Sequence, residues 1–117
     1  MAYVDGFLVP VPKDKLDAYK EMARLGAEVW MEYGALSYVE CVADDVPYGE
    51  VTSFPRAVQV KDDEIVIFSW ITYKDRASRD EINAKVMADE RLKAYMADMP
   101  FDGKRMIFGG FQPFLEK

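Results

Sequence analysis

Residues 65–73, IVIFSWITY, carry an apolar or aromatic side chain at nearly every position, and this run limits the possible folds more than any other. Strand side chains alternate between the two faces of a sheet, so a strand that is apolar on both faces sits centrally and is covered from both sides. The flanking segments supply partners. Residues 3–11 mix β-branched and aromatic residues and end against Pro10 and Pro12, which reads as a strand closed by a proline-bounded turn. Gly6 inside it predicts a bulge or a close backbone approach. Asp14 is placed to cap a helix in which Leu16, Tyr19, Met22, Ala23, Gly26, Val29, Trp30 and Tyr33 recur at three- and four-residue steps, ending at Gly34. Gly26 costs that helix ~1 kcal/mol relative to alanine, which predicts tight packing against the sheet.

Residues 35–43 read as a second strand, with Tyr38, Glu40 and Val42 on one face and Ser37, Val39 and Cys41 on the other. A polar, turn-rich insertion follows, then a short strand over residues 56–60 and an acidic turn into the apolar run. Ser78 with Glu81 forms a capping-box pattern for a second helix through Ile82, Val86 and Met87, with a break near Asp89. A further helical segment carries Leu92, Tyr95, Met96 and Met99 and stops at Pro100. Asp102 and Gly103 turn the chain into a last strand over residues 105–115, where Gly109 and Gly110 mark a bulge or bend.

The order strand, helix, strand, strand, helix, strand predicts one α+β domain over residues 1–117. Its expected form is a ferredoxin-like βαββαβ antiparallel sheet with both helices on one face. Two helices cover one face only. The doubly apolar third strand therefore calls for a partner on the other, and a second copy of the chain is the simplest source.

Composition removes several kinds of chemistry. Histidine is absent, so a serine-histidine triad, a cysteine-histidine pair and an imidazole base are all ruled out. The single cysteine, Cys41, has no second thiol for a disulfide or a zinc site. A net charge of −6 disfavours phosphate backbones, so no nucleic-acid partner is expected. No apolar run approaches the ~20 residues of a membrane span, and no basic stretch precedes the first apolar residues, which predicts a cytoplasmic protein with no membrane partner.

The motifs YVDGF, YVECVADDVPYGEVTSF, VIFSWITY and MPFDGKRMIFGGF, in this order and spacing, resemble the YbaA-like family of small uncharacterised bacterial proteins across nearly the whole chain. The resemblance implies membership of the dimeric α/β-barrel superfamily, in which two ferredoxin-like sheets pack face to face as a homodimer. Relatives of that fold include cofactor-free oxygenases, haem-degrading enzymes, isomerases and YCII-like proteins. Their sites commonly employ histidine, and this chain has none to offer as a haem ligand or in a histidine-aspartate dyad.

Candidate site residues come from the strands. Asp5 and Glu40 are carboxylates among apolar neighbours, where a raised pKa would suit a general base. The other reading makes each half of a structural ion pair with Arg105 or Arg56. Arg105 is a candidate anion stabiliser, or else a salt-bridge partner at a strand end. Tyr3, Phe68, Trp70 and Phe108 are candidate ligand-binding residues, Trp70 as a stacking wall or as packing at the dimer interface. The acidic runs at Asp44, Asp45 and Glu50 and at Asp62, Asp63 and Glu64 read as solvated turns without metal-loop spacing. The expectation is an uncharacterised homodimeric protein, without cofactor or metal, binding a small apolar or aromatic ligand in a barrel cavity. Two alternatives stay open: a non-catalytic dimerisation or scaffold module, and a cofactor-independent oxygenase or isomerase using a strand carboxylate.

Overall fold

Four antiparallel strands lie in the order β2-β3-β1-β4 in the computed structural model, which describes residues 2–117. They are β1 (Tyr3–Pro12), β2 (Ser37–Val42), β3 (Glu64–Tyr73) and β4 (Ile107–Phe111). Helix α1 (Leu16–Glu32) joins β1 to β2, a one-turn helix α2 (Phe54–Ala57) lies in the β2 to β3 insertion, and α3 (Arg76–Ala88) with α4 (Glu90–Ala97) leads to β4. This is the ferredoxin-like arrangement, with the doubly apolar strand β3 inside the sheet as its composition requires.

Register assigns the faces. Tyr3, Asp5, Phe7, Val9 and Val11 of β1 share the helix-covered face with Ile67, Ser69, Ile71 and Tyr73 of β3 and with Tyr38, Glu40 and Val42 of β2. The core beneath the helices forms two clusters. One gathers Tyr3, Val29, Ala35, Ile71, Tyr73, Ile82, Val86 and Leu92, and the other Val9, Val11, Tyr19, Ala23 and Ile67. The expected stripe of α1 supplies both, and Gly26 in it is buried where a Cβ would stand 3.1 Å from the Tyr38 hydroxyl. Gly34, at φ +113°, takes the left-handed conformation that ends this helical stretch.

The opposite face carries Val4, Leu8, Val39, Cys41, Phe68, Trp70, Ile107 and Phe111. Phe68 is 42% and Phe111 65% exposed, so this apolar face is open over much of its area. One end is covered by the chain itself. Phe54 of α2 meets Phe68 edge to face at 5.8 Å, and Val58, Pro10 and Val66 are buried.

Five local expectations are corrected. Residues 56–60 are not a strand: Ser53 accepts from Arg56 N, Pro55 sits in the first turn of α2, and Gln59 at φ 51° turns the chain out of it. The final strand is shorter than residues 105–115, and its register against β1 is continuous, so neither Gly6 nor the Gly109–Gly110 pair is a bulge. Gly110 is instead a close approach, since a Cβ there would stand 2.8 Å from Tyr3 ring atoms. Helix α3 is capped by Asp75, which accepts from Ser78 N at 2.7 Å, rather than by Ser78. Asp14 caps nothing, because residues Lys13–Lys15 form a 3-10 turn that leads into α1 without a side-chain cap.

Both prolines of β1 lie inside the strand rather than after it. Pro10 and Pro12 pair with Val66 and Glu64 of β3, while β4 accompanies β1 only from Val4 to Leu8. Lys13 donates to Asp63 O on the β3 side at 2.8 Å. By alternation, positions 10 and 12 have their missing N–H groups on the side where β4 has already ended.

Candidate functional site

Between the two core clusters one row of the sheet runs Phe108, Phe7, Ser69, Glu40 across β4, β1, β3 and β2. The adjoining row of Val9, Ile67 and Val42 is apolar, but here a serine and a carboxylate stand in the floor, with Asp5 in the row on the other side. Above them α1 presents Gly26. The result is a cavity of about 340 Å³ between sheet and helices. Its walls are Met22 and Trp30 of α1, Met87 of α3, Tyr95 and Met96 of α4, Met99, Phe101 and Met106 of the connection to β4, and Phe108 at the strand. That volume and apolar lining fall within the range of small-molecule sites.

Glu40 is the polar centre of the cavity. Tyr19 donates to its Oε1 at 2.7 Å and Tyr38 to its Oε2 at 2.8 Å, with Ser69 a further partner on the adjacent strand. Burial pushes its carboxyl above the usual range, and the hydrogen bonds from Tyr19, Tyr38 and Ser69 oppose that shift only in part. The same burial, reinforced by the neighbouring carboxylate, raises both phenols, so they serve as neutral donors. Glu40 also faces a second groove of about 300 Å³ between α1 and the β2 edge.

Asp5 has a different environment. It is 4% exposed and accepts from Arg79 at 2.7 Å, from the Tyr73 hydroxyl at 3.0 Å and from Asn83 at 3.5 Å. Arg79 sits with its guanidinium carbon 4.9 Å from the Tyr3 ring centroid and raises its own pKa through the Asp5 charge, against the effect of burial. Asn83 accepts from Trp30 Nε1 at 3.1 Å and ties α1 into the same network. Asp5 is therefore a carboxylate on the cavity floor whose charge is matched by Arg79.

The expected site residues do not converge. Asp5, Glu40 and Phe108 line the cavity, with Phe108 stacked on Phe7 at 6.4 Å. Tyr3 lies under Arg79 rather than in the cavity wall. Phe68 and Trp70 point to the other face of the sheet, and meet each other edge to face at 5.7 Å. Arg105 belongs to neither. It makes a bidentate pair with Glu64 at 2.7 and 2.6 Å, a bond to Asp102 at 2.9 Å and one to Gln59 O at 2.9 Å. The guanidinium of Arg105 holds the Glu64 carboxyl below the usual range, and no donor of this fork is aimed at the cavity. Arg56 likewise serves its own loop, donating to Tyr48 O and Gly49 O and covering the Tyr48 ring at 3.9 Å.

Sequence reasoning missed Arg79 and Asn83, and it missed the pairing of both tyrosines with Glu40. A signal existed for the first two: positions 79, 82, 83 and 86 share one face of α3, so Arg79 and Asn83 interrupt its buried stripe of Ile82 and Val86. Among the described residues, no group of three or more cysteines and carboxylates is placed to hold a metal ion, and no helix is long and apolar enough to cross a membrane.

Solved structures share this architecture at low identity. A dimeric ferredoxin-like protein from an uncultured marine organism superposes with a TM-score of 0.61 at 12% identity, covering 100% of both chains. An uncharacterized NIPSNAP domain protein from Burkholderia xenovorans gives a TM-score of 0.61 at 13% identity, over 98% of this chain and 99% of its own. The uncharacterized protein YbaA of Escherichia coli K12 is 53% identical over 117 residues, 100% of each chain. Residues 2–103 match the family described as "Protein of unknown function (DUF1428)", and with that full-length relative the match shows that the chain belongs to the DUF1428 family.

Proposed function

We propose that this chain is a cytoplasmic homodimer whose residues 1–117 form one ferredoxin-like unit, and that each copy binds a small, largely apolar or aromatic ligand between its sheet and helices. The observation that carries the reading is the cavity of about 340 Å³ at the Phe108, Phe7, Ser69, Glu40 row, with a methionine-rich and aromatic wall around one polar cluster. Unbranched methionines adapt to varied ligand outlines. Pairing through the open face is supported by its exposed Phe68, Ile107 and Phe111 and by the dimeric description of one structure of the same fold. Two sheets packed through these faces would complete an α/β barrel, with Trp70 at the interface.

The two tryptophans lie on opposite faces of the sheet, so they report separately. Titration of the ¹⁵N-labelled protein with 2-phenylethanol, indole or 2-naphthol should move the Trp30 indole N–H signal and leave that of Trp70, assigned with Trp70→Phe. Failure of all three probes to move Trp30 at millimolar concentration would leave the scaffold alternative in place.

One observation favours a catalytic variant of this reading. Glu40 is a half-buried carboxylate facing the cavity with its pKa raised, as a general base for cofactor-independent proton transfer requires. Asp5, Arg105 and Trp70 have no part in it. Hydrogen-deuterium exchange into a bound carbon acid, lost in Glu40→Gln, is its test.

A further inference from the structure

We propose that the ligand of this cavity carries a protonated amine, seated on Glu40 within a box formed by the rings of Tyr19, Tyr38, Trp30 and Phe101. The inference rests on the cavity being a ligand site and adds the charge of the molecule it takes.

Two carboxylates, Asp5 and Glu40, face the cavity. Asp5 is matched by Arg79 at 2.7 Å. Glu40 has no such partner, since among the described residues no lysine or arginine nitrogen lies within ion-pair distance of it. Lys20 and Arg24 line the neighbouring groove, but Arg24 is engaged by Glu21 at the surface. The only described hydrogen-bond partners of Glu40 are neutral hydroxyls, and a carboxylate offers about four acceptor positions, so room for a charged donor remains. Even a half-buried charge without a counter-charge is costly, and an arriving cation relieves that cost where an anion would add to it.

The surroundings of Glu40 suit an ammonium group in a second way. Trp30 and Tyr38 pack at 5.8 Å with planes tilted by 46°, and Tyr19 and Phe101 meet edge to face at 5.8 Å. Both phenols that donate to Glu40 thus belong to aromatic pairs in the cavity lining. Ring faces around a cation supply attraction that a neutral head group does not receive. The methionine side of the cavity is left for the apolar body of the ligand.

The test compares 2-phenylethylamine with its neutral isostere 2-phenylethanol by calorimetry at pH 7.5, with the Trp30 indole signal as the positional readout. The amine should bind the wild-type protein at least tenfold more tightly, and Glu40→Gln should bring the two within about twofold of each other. Equal affinities in the wild type, with Trp30 shifted by both, overturn the amine inference and leave the cavity reading standing. Silence of Trp30 with both probes overturns the two together. Persistence of the amine preference in folded Glu40→Gln also overturns the inference. Should that variant not fold, the wild-type comparison decides the matter alone.

Discussion

Removing Arg79 leaves Asp5 under the helices without a counter-charge, held only by neutral donors, and the size of that effect follows from the surroundings of the pair. Asp5 has a side-chain exposure of 6% and Arg79 of 18%, with 2.7 Å between them. Breaking a buried pair by removing one partner costs ~3–5 kcal/mol. The partial exposure of Arg79 places this case at the lower end, about 3 kcal/mol for Arg79→Met, which keeps an apolar stem against Tyr3. A chain of this length has a total stability of roughly 6–18 kcal/mol. The loss should appear as a fall in melting temperature of about 10–15 °C. The double variant Asp5→Asn with Arg79→Met removes the stranded charge, and it should recover at least about 2 kcal/mol of the single-variant loss. Urea denaturation followed by circular dichroism at pH 7 measures all four corners of the cycle. An Arg79→Met cost below ~1 kcal/mol, or a double variant no better than the sum of the singles, would refute the view of Asp5 as a structurally neutralised carboxylate.

Glu40 makes a signed prediction for pH. Its folded pKa is raised, mainly by burial, so its contribution to stability is full below the unfolded carboxylate pKa and is lost as pH rises through the folded value. Stability of Glu40→Gln relative to wild type should therefore climb above about pH 4.5 and then level off; a difference that is flat with pH, measured by denaturant melts from pH 4 to 8, would contradict it. Gly110→Ala should lower stability by ~1–3 kcal/mol, because its methyl meets the Tyr3 ring at 2.8 Å and Tyr3 in turn supports Arg79. An unchanged melting temperature would show that Tyr3 moves freely. Phe68→Glu places a charge on the open face, and light scattering should report a dimer for the wild type, as the proposed pairing requires, and monomers for the variant; a variant that stays dimeric would move the interface elsewhere.

The backbone architecture was legible because it rests on periodicity. The alternation in β2 assigns Tyr38, Glu40 and Val42 to one face, the stripe of α1 assigns its buried side, and both readings match the structure. The doubly apolar β3 announced an interior strand and a face beyond the reach of two helices. What could not be read was which strand positions share a row, because register across strands is set by long-range pairing rather than by local pattern. Trp70 therefore looked like a companion of Asp5 and Glu40, although the pleat directs it to the other side. Ion pairing failed for a similar reason. Arg105 lies outside the cavity lining and is held by Glu64, while the cation that answers Asp5 comes from position 79 on α3. Short-range chemistry misled in two places. Ser53 and Pro55 start a helical turn where β-branched neighbours suggested a strand, and the glycines of β4 relieve contact with aromatic rings rather than forming bulges.

The prolines of β1 have a consequence for association. From Val9 to Pro12 the strand has lost its neighbour β4, yet the two positions that would offer donors on that side are Pro10 and Pro12. An exposed edge is a template for foreign strands, and one lacking donors cannot propagate a ladder. A strand added along this stretch would find no donor at either position, and Pro10 is in addition buried by the chain itself. Replacing both prolines by valine would return those two donors to the border.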